Sequence, residues 1–145
     1  MAIQKSTKKS VRMAREKFIQ VVARRRRVSA RVRLIKGKGE STVNSKPIDV
    51  YFPGPVSKET WMRPLNLTEA ADKYYITVKV AGGGKKGQLD AVAHGIAKAL
   101  VKENPEKYKK PVKDAGLLAR DARIRQRRMI GMGGKSRRKK QSPKR

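Results

Sequence analysis

The sequence predicts one compact domain of mixed strand and helix, with a basic extension at each end. Three observations predict it. Residues 74–80 alternate apolar and polar side chains with the two-residue period of a half-buried strand. Leu89, Val92, Ala93, Ile96, Ala97, Leu100 and Val101 recur at the i, i+3, i+4, i+7 spacing of an amphipathic helix. Beyond Leu118 the supply of large apolar residues fails. At 145 residues the chain has room for one domain plus arms, since single domains take roughly 100 to 200 residues. The expected division is a basic N-terminal arm over 1–17, a globular domain over 18–118 and an extended basic tail over 119–145.

The elements follow in chain order. Phe18, Ile19, Val21 and Val22 predict a strand leading into Arg24, Arg25, Arg26 and Arg27, the densest run of charge in the first half. Val28, Ala30, Val32 and Leu34 then alternate with Ser29, Arg31 and Arg33, so a second strand should bury one face and point its arginines to the other. Gly37 and Gly39 mark a turn. A short β-prone stretch follows that turn at Thr42 and Val43, then a break at Asn44-Ser45-Lys46-Pro47, and a hairpin about the glycine turn is the simple reading. Pro47 is placed as the first residue of a short helix carrying Ile48, Val50, Tyr51 and Phe52, which Pro53-Gly54-Pro55 stops. Ser57 is the candidate cap of the next short helix, near Trp61.

After the strand over 74–80, the run Gly82, Gly83, Gly84 releases the chain, and the amphipathic helix is expected beyond Gly87. Ala91, Gly95 and Ala99 form a strip of small side chains on that helix, readable either as a close-approach surface or as a plain solvent face. Asn104-Pro105 restarts the chain as a helix to about Lys113, with Pro111 as a kink or boundary and Gly116 closing it. From Ala119 onward there is one acid, Asp121, with glycines at 131, 133 and 134, and too little apolar surface to offset the entropy of ordering. The isolated tail is therefore expected to be disordered.

Charge bounds the function. Lys and Arg number 39 against 11 Asp and Glu, a net charge of +28, so the chain needs a polyanion to relieve its self-repulsion. No run of about 18 apolar residues is present to span a bilayer, and the first twenty residues interrupt any apolar stretch with Lys and Arg, against an export signal. That basic, acid-poor start reads as a nucleic-acid-binding arm, with an organellar presequence as the alternative. The absence of cysteine excludes disulfides, thiol catalysis and Cys-ligated metals. Aromatics make up only 5% of the chain, so contacts to phosphate should outweigh serial base stacking.

Two motifs invite a catalytic reading. Gly82, Gly84 and Gly87 match the GxGxxG of dinucleotide-binding turns, but no strand–helix–strand series follows and the preceding strand alternates where a buried parallel strand would not. Gln88-Leu89 stands where a phosphate-binding NTPase loop needs Lys and then Ser or Thr. The glycines then mark either a tight turn without ligand or a helix N-terminus that docks a nucleic-acid phosphate beside Lys85 and Lys86. His94, the only histidine, falls off the apolar stripe and has no partner for a triad or metal pair. The acids are few and scattered. The expectation is a protein that is not an enzyme and uses no cofactor, metal or small-molecule substrate. Its candidate RNA-binding side chains are Arg24 to Arg27, Arg31, Arg33, Lys85 and Lys86.

The chain resembles the bacterial form of small-subunit ribosomal protein nine over nearly its whole length after the N-terminal arm. The resemblance is carried, in order, by RRRRVSARVRL, TVN with Pro47 and the Tyr51-Phe52 pair, ITVKVAGGGKKGQ, HGIAKAL, GLLARDAR and the terminal QSPKR. It implies an α+β domain of the ribosomal-protein-S-five-second-domain type, a sheet backed by helices, embedded in ribosomal RNA of the small-subunit head among neighbouring head proteins. It also implies a tail that runs through RNA toward peptidyl-site tRNA. By position, Lys144 and Arg145 would meet the tRNA. The rRNA path would be lined by Arg120, Arg123, Arg125, Arg127 and Arg128, then by Lys135, Arg137, Arg138, Lys139 and Lys140. Ala23 stands at a usual glycine, Met129-Ile130 where Lys-Tyr is common, and QSPKR in place of QFSKR.

A cytoplasmic ribosome is expected, with an organellar one as the alternative. Rival classes are a DNA-architectural or general RNA-chaperone protein, which association with one RNA at high salt would oppose, and a nucleotide-dependent enzyme, which saturable thermal stabilisation by a nucleotide would reveal.

Overall fold

The computed structural model describes residues 17–128 and 130. Five strands form one sheet in the order β1-β2-β5-β3-β4: β1 Phe18–Arg25, β2 Val28–Lys36, β3 Thr42–Val43, β4 Lys46–Pro47 and β5 Tyr74–Ala81. Four helices complete the domain: α1 Ile48–Tyr51, α2 Pro55–Leu67, α3 Lys85–Glu103 and α4 Pro105–Asp114. The predicted α+β class is observed. All strand pairs are antiparallel except β3 with β5, which are parallel.

The sheet holds its register because the alternations match across strands. Val32 sits opposite Val21 and Val78, and Leu34 opposite Ile19 and Ile76, so one face is apolar from β1 to β5. Val32, Ile76 and Val78 are fully buried there. The β3–β4 hairpin turns on Asn44 and Ser45, both at positive φ (50° and 66°), the backbone that two-residue hairpin turns require. The Asn44 side chain also accepts from Val80 N–H at 2.9 Å and donates to Val80 O at 3.1 Å, continuing the sheet pairing with a side-chain amide.

α3 lies across the apolar face against β1, β2 and β5, while α2 and α4 pack on α3. The strip Ala91, Gly95 and Ala99 is buried, not solvent-facing. A Cβ on Gly95 would lie 2.5 Å from Val32 Cγ2 and 3.3 Å from Ala23 Cβ, so the missing side chain lets helix and sheet approach. Ala23 is buried and fits because Gly95 faces it. Ile96, Leu100 and Val92 fill the core from the helix, and Trp61, Leu65, Tyr108 and Val112 close it from α2 and α4.

Element ends depart from expectation in four places. Pro47 ends β4 and caps α1 from outside. α2 begins at Pro55, whose fixed φ suits the first helical position, so Ser57 lies inside the helix and caps nothing. α3 begins at Lys85, ahead of Gly87. Pro111 neither breaks nor ends α4; the helix runs on to Asp114, forgoing the one bond that Pro111 cannot donate. At its start the Asn104 side chain accepts from Lys107 N–H at 3.2 Å. At its end Gly116, at φ 71°, donates to Lys113 O and Leu117 N–H donates to Val112 O, the paired bonds of a Schellman stop.

Candidate nucleic-acid interface

With α3 on one face of the sheet, the other face carries the outward residues of each strand. The register sets Val22, Arg31 and Lys79 in one row, Gln20, Arg33 and Thr77 in the next, and Arg24 beside Ser29 in a third. Every charge in these rows is positive. Arg31 and Lys79 are directly opposed like charges, an arrangement that destabilises a sheet unless an anion lies over it. Arg33 is held more closely: its Nε donates to Gln20 Oε1 at 3.3 Å and its guanidinium sits 4.9 Å from the centre of the Phe18 ring. A Cβ on Gly39 would lie 2.9 Å from the Tyr75 ring, so the turn after β2 packs over that aromatic.

At one end of the sheet the arginine turn meets the glycine loop. Gly82 and Gly83 have positive φ (80° and 61°). A Cβ on Gly82 would lie 2.7 Å from Arg27 O, and one on Gly83 would collide with Val28 Cγ2, so only glycine lets the loop rest on the β1–β2 turn. Gln88 fastens the loop from inside: its Nε2 donates to Gly82 O at 2.9 Å, and its Oε1 accepts from the Tyr51 hydroxyl at 2.9 Å. The result is a cleft of about 820 Å³ whose lining includes Arg26, Arg27, Lys85, Lys86, Ile124 and Arg125, with no acid. The α3 N-terminus opens into it. Gly84 offers no capping side chain there, and the first N–H groups of any helix lack intrahelical acceptors.

The candidate cations are not equivalent. Lys85 donates to Tyr51 O at 3.2 Å with its ammonium 3.3 Å from the Tyr51 ring centre, whereas Lys86 is exposed and makes no such bond. Arg25 is turned inward, its side chain only 11% exposed. Its Nη2 lies 2.9 Å from Asp121 Oδ2, its Nη1 donates to Arg123 O at 2.7 Å, and its Nε is 3.8 Å from Asp90. Arg123 is bound in turn to the Asp121 carboxylate through Nε and Nη2, the latter at 2.8 Å. Hydrogen bonding from Arg123, with Arg25 adding its charge, holds the Asp121 carboxyl well below the usual carboxylate range. Arg24, Arg26, Arg27, Arg31, Arg120, Arg125, Arg127 and Arg128 are exposed. Lys135, Arg137, Arg138, Lys139, Lys140, Lys144 and Arg145 lie outside the described residues.

The sequence missed Lys79, whose alternation was visible but whose place opposite Arg31 depends on which strands pair. It also treated Arg24 to Arg27 as one group. Arg25 shares its parity in β1 with Ile19, Val21 and buried Ala23, a signal that could have separated it from its neighbours.

His94 supplies no chemistry of its own here: its Nδ1 lies 3.0 Å from Leu117 O and ties the chain after α4 to α3. No group of three or more His, Asp or Glu among the described residues could hold a metal. The strand before the glycine loop, β5, pairs antiparallel with β2 along its whole length and parallel with β3 at only two positions, unlike the strand of a dinucleotide-binding turn, which belongs to a mostly parallel sheet.

The family described as ribosomal protein S9/S16 matches this sequence over residues 23–145, which takes in the arginine turn, the glycine loop and the tail. The chain belongs to the ribosomal protein S9/S16 family. Among its relatives are the small ribosomal subunit proteins uS9 of Anaeromyxobacter sp. and Anaeromyxobacter dehalogenans. Each is 43% identical over 113 residues, covering 78% of this chain and 86% of the relative. As an S9/S16 protein, the chain is a structural constituent of the small ribosomal subunit. No described helix is long and apolar enough to cross a membrane.

Proposed function

We propose that this S9/S16 protein binds small-subunit head rRNA through the uncovered face of its sheet and the adjoining cleft, and reaches peptidyl-site tRNA with its tail. The observation that carries this reading is the all-cationic sheet face on which Arg31 and Lys79 stand opposed without an acid between them. A phosphate backbone removes that repulsion. Arg24, Arg31, Arg33 and Lys79 serve the face, and Arg26, Arg27, Lys86 and Arg125 the cleft. Lys85, latched to Tyr51, braces the loop and adds its charge at the rim. The globular part, 18–118, acts as the rRNA-bound body. The tail, 119–145, is the threaded segment, with Arg120, Arg127 and Arg128 and then the basic residues from Lys135 to Lys140 along the rRNA. Lys144 and Arg145 meet the tRNA. The arm over 1–17 adds basic contacts, and neighbouring head proteins complete the setting. None of these contacts calls for a bond-making step or a cofactor.

Deleting residues 142–145 tests the tail. Small subunits carrying the truncated protein are expected to assemble normally and to release peptidyl-site tRNA faster than the parent. Equal tRNA retention by the two kinds of purified subunit would remove the tail from the reading. For the body, binding to head-domain rRNA should persist at salt concentrations that strip the protein from duplex DNA. Equal salt sensitivity on the two would favour a general nucleic-acid binder.

A further inference from the structure

The tail leaves the domain across a surface that ought to repel it. The end of β1 and its turn into β2 carry four consecutive arginines, and the described start of the tail carries Arg120, Arg123, Arg125, Arg127 and Arg128. Within a Debye length, about 10 Å at 0.1 M salt, these segments oppose one another. They are nevertheless packed together, and the contacts that permit it converge on one ion-paired centre.

We infer that Arg25 and Asp121 form a clamp that sets the direction in which the basic tail leaves the domain. Arg25 acts on the tail as a positioning residue and not as a phosphate ligand. Each nitrogen of its guanidinium has an acidic or carbonyl partner: Nε faces Asp90 at 3.8 Å, Nη2 faces Asp121 Oδ2 at 2.9 Å, and Nη1 donates to Arg123 O at 2.7 Å. Asp121, the only acid between Ala119 and Arg145, completes the device from the tail side. Its carboxylate bridges Arg25 and Arg123, and it also accepts from the Arg123 backbone N–H at 3.0 Å, which closes a local turn. Upstream, His94 holds Leu117 O at 3.0 Å. The chain is thus pinned before and after the bend, and its next residues, Ile124 and Arg125, line the cationic cleft.

An acid in a tail built to meet RNA would weaken phosphate binding unless it did something else. Here it neutralises the pair of arginines that would otherwise push tail and turn apart, and a bridging carboxylate between two guanidiniums fixes direction as well as distance. The purpose of the aim rests on the tail-threading reading above, but the clamp itself is a property of the free chain.

The chain has no cysteine, so paired spin labels can be placed at Lys109→Cys on α4 and Gln126→Cys in the tail of the full-length protein. Pulsed dipolar spectroscopy is expected to give a narrow distance distribution in the parent. Asp121→Asn should broaden it and move it to longer distance, more so at low salt, and Asp121→Glu should restore much of it. Thermal unfolding of the domain should stay unchanged. A parent distribution as broad as that of Asp121→Asn would overturn the clamp, and so would a loss of domain stability that accompanies the broadening. In RNA binding, Arg25→Gln should weaken affinity without changing its salt slope, because no phosphate contact is lost. A slope lowered by about 0.7 to 0.9 would make Arg25 a phosphate ligand and refute the assignment.

Discussion

Reversing two charges on the open face, Arg31→Glu with Arg33→Glu, is expected to abolish tight binding to head-domain rRNA while leaving the domain folded. Both side chains are exposed, and the contacts Arg33 makes with Gln20 and the Phe18 ring lie on that same surface. Losing two phosphate contacts should lower the slope of log affinity against log salt by roughly 1.4 to 1.8, from about 0.7 to 0.9 per contact, before the added repulsion is counted. Stability should change little, because the Arg31→Glu change sets an opposite charge against Lys79 in place of a like one, a cross-strand gain of about 0.2 to 1 kcal/mol that offsets the loss of the Arg33 contacts with Gln20 and Phe18. Filter binding across a salt series and urea unfolding measure the two effects. Binding that falls together with stability would mean that the face is structural.

Gly95→Leu is expected to be the most damaging substitution in the helix layer, costing about 3 kcal/mol or more out of the roughly 5 to 15 that hold a domain folded. The first added carbon alone would stand 2.5 Å from the buried Val32 Cγ2. The remaining carbons would have to enter the α3–sheet seam, where Ala91 and Ala99 already leave no exposed surface. Gly95→Ala should also destabilise, although alanine favours the helix itself by about 1 kcal/mol. A lower urea midpoint at unchanged m-value is the expected signature. Gly95→Leu unfolding at the parental midpoint would show that the seam is loose.

Legibility followed the kind of information each feature needs. β2, β5 and α3 could be read directly because half-buried elements write their period into the chain, and the Gly116 stop because a left-handed helix end favours glycine. Sheet order could not. β3 lies parallel to β5 through a pairing across more than thirty residues, and two residues of Thr42-Val43 carry no period. The start of α2 was misplaced because Ser57 is a good cap in isolation, while Gly54 and Pro55 had already set the turn. The small strip on α3 was ambiguous because small residues suit a packed seam and a solvent face alike, and only Val32 and Ala23 across the seam decide. The basic residues could be found from composition, but their division into outward cations and the inward Arg25 needed Asp90 and Asp121 beside it. The glycine loop resembled a cofactor turn until Arg27 O accounted for Gly82 and the Val28 side chain for Gly83, while Gly84 has open space where a side chain would stand.

If rRNA lies over the uncovered face of the sheet, directed hydroxyl-radical probing from that face will cut it. An iron chelate tethered at Thr77→Cys, between Arg33 and Thr42 in the sheet register, would be carried into reconstituted small subunits beside a control tethered at Lys109→Cys on α4. Strong cleavage of head-domain rRNA from position 77, clearly exceeding that from position 109, is the predicted result. Head-domain cleavage from position 109 with none from position 77 would contradict it and move the RNA to the helical side of the domain.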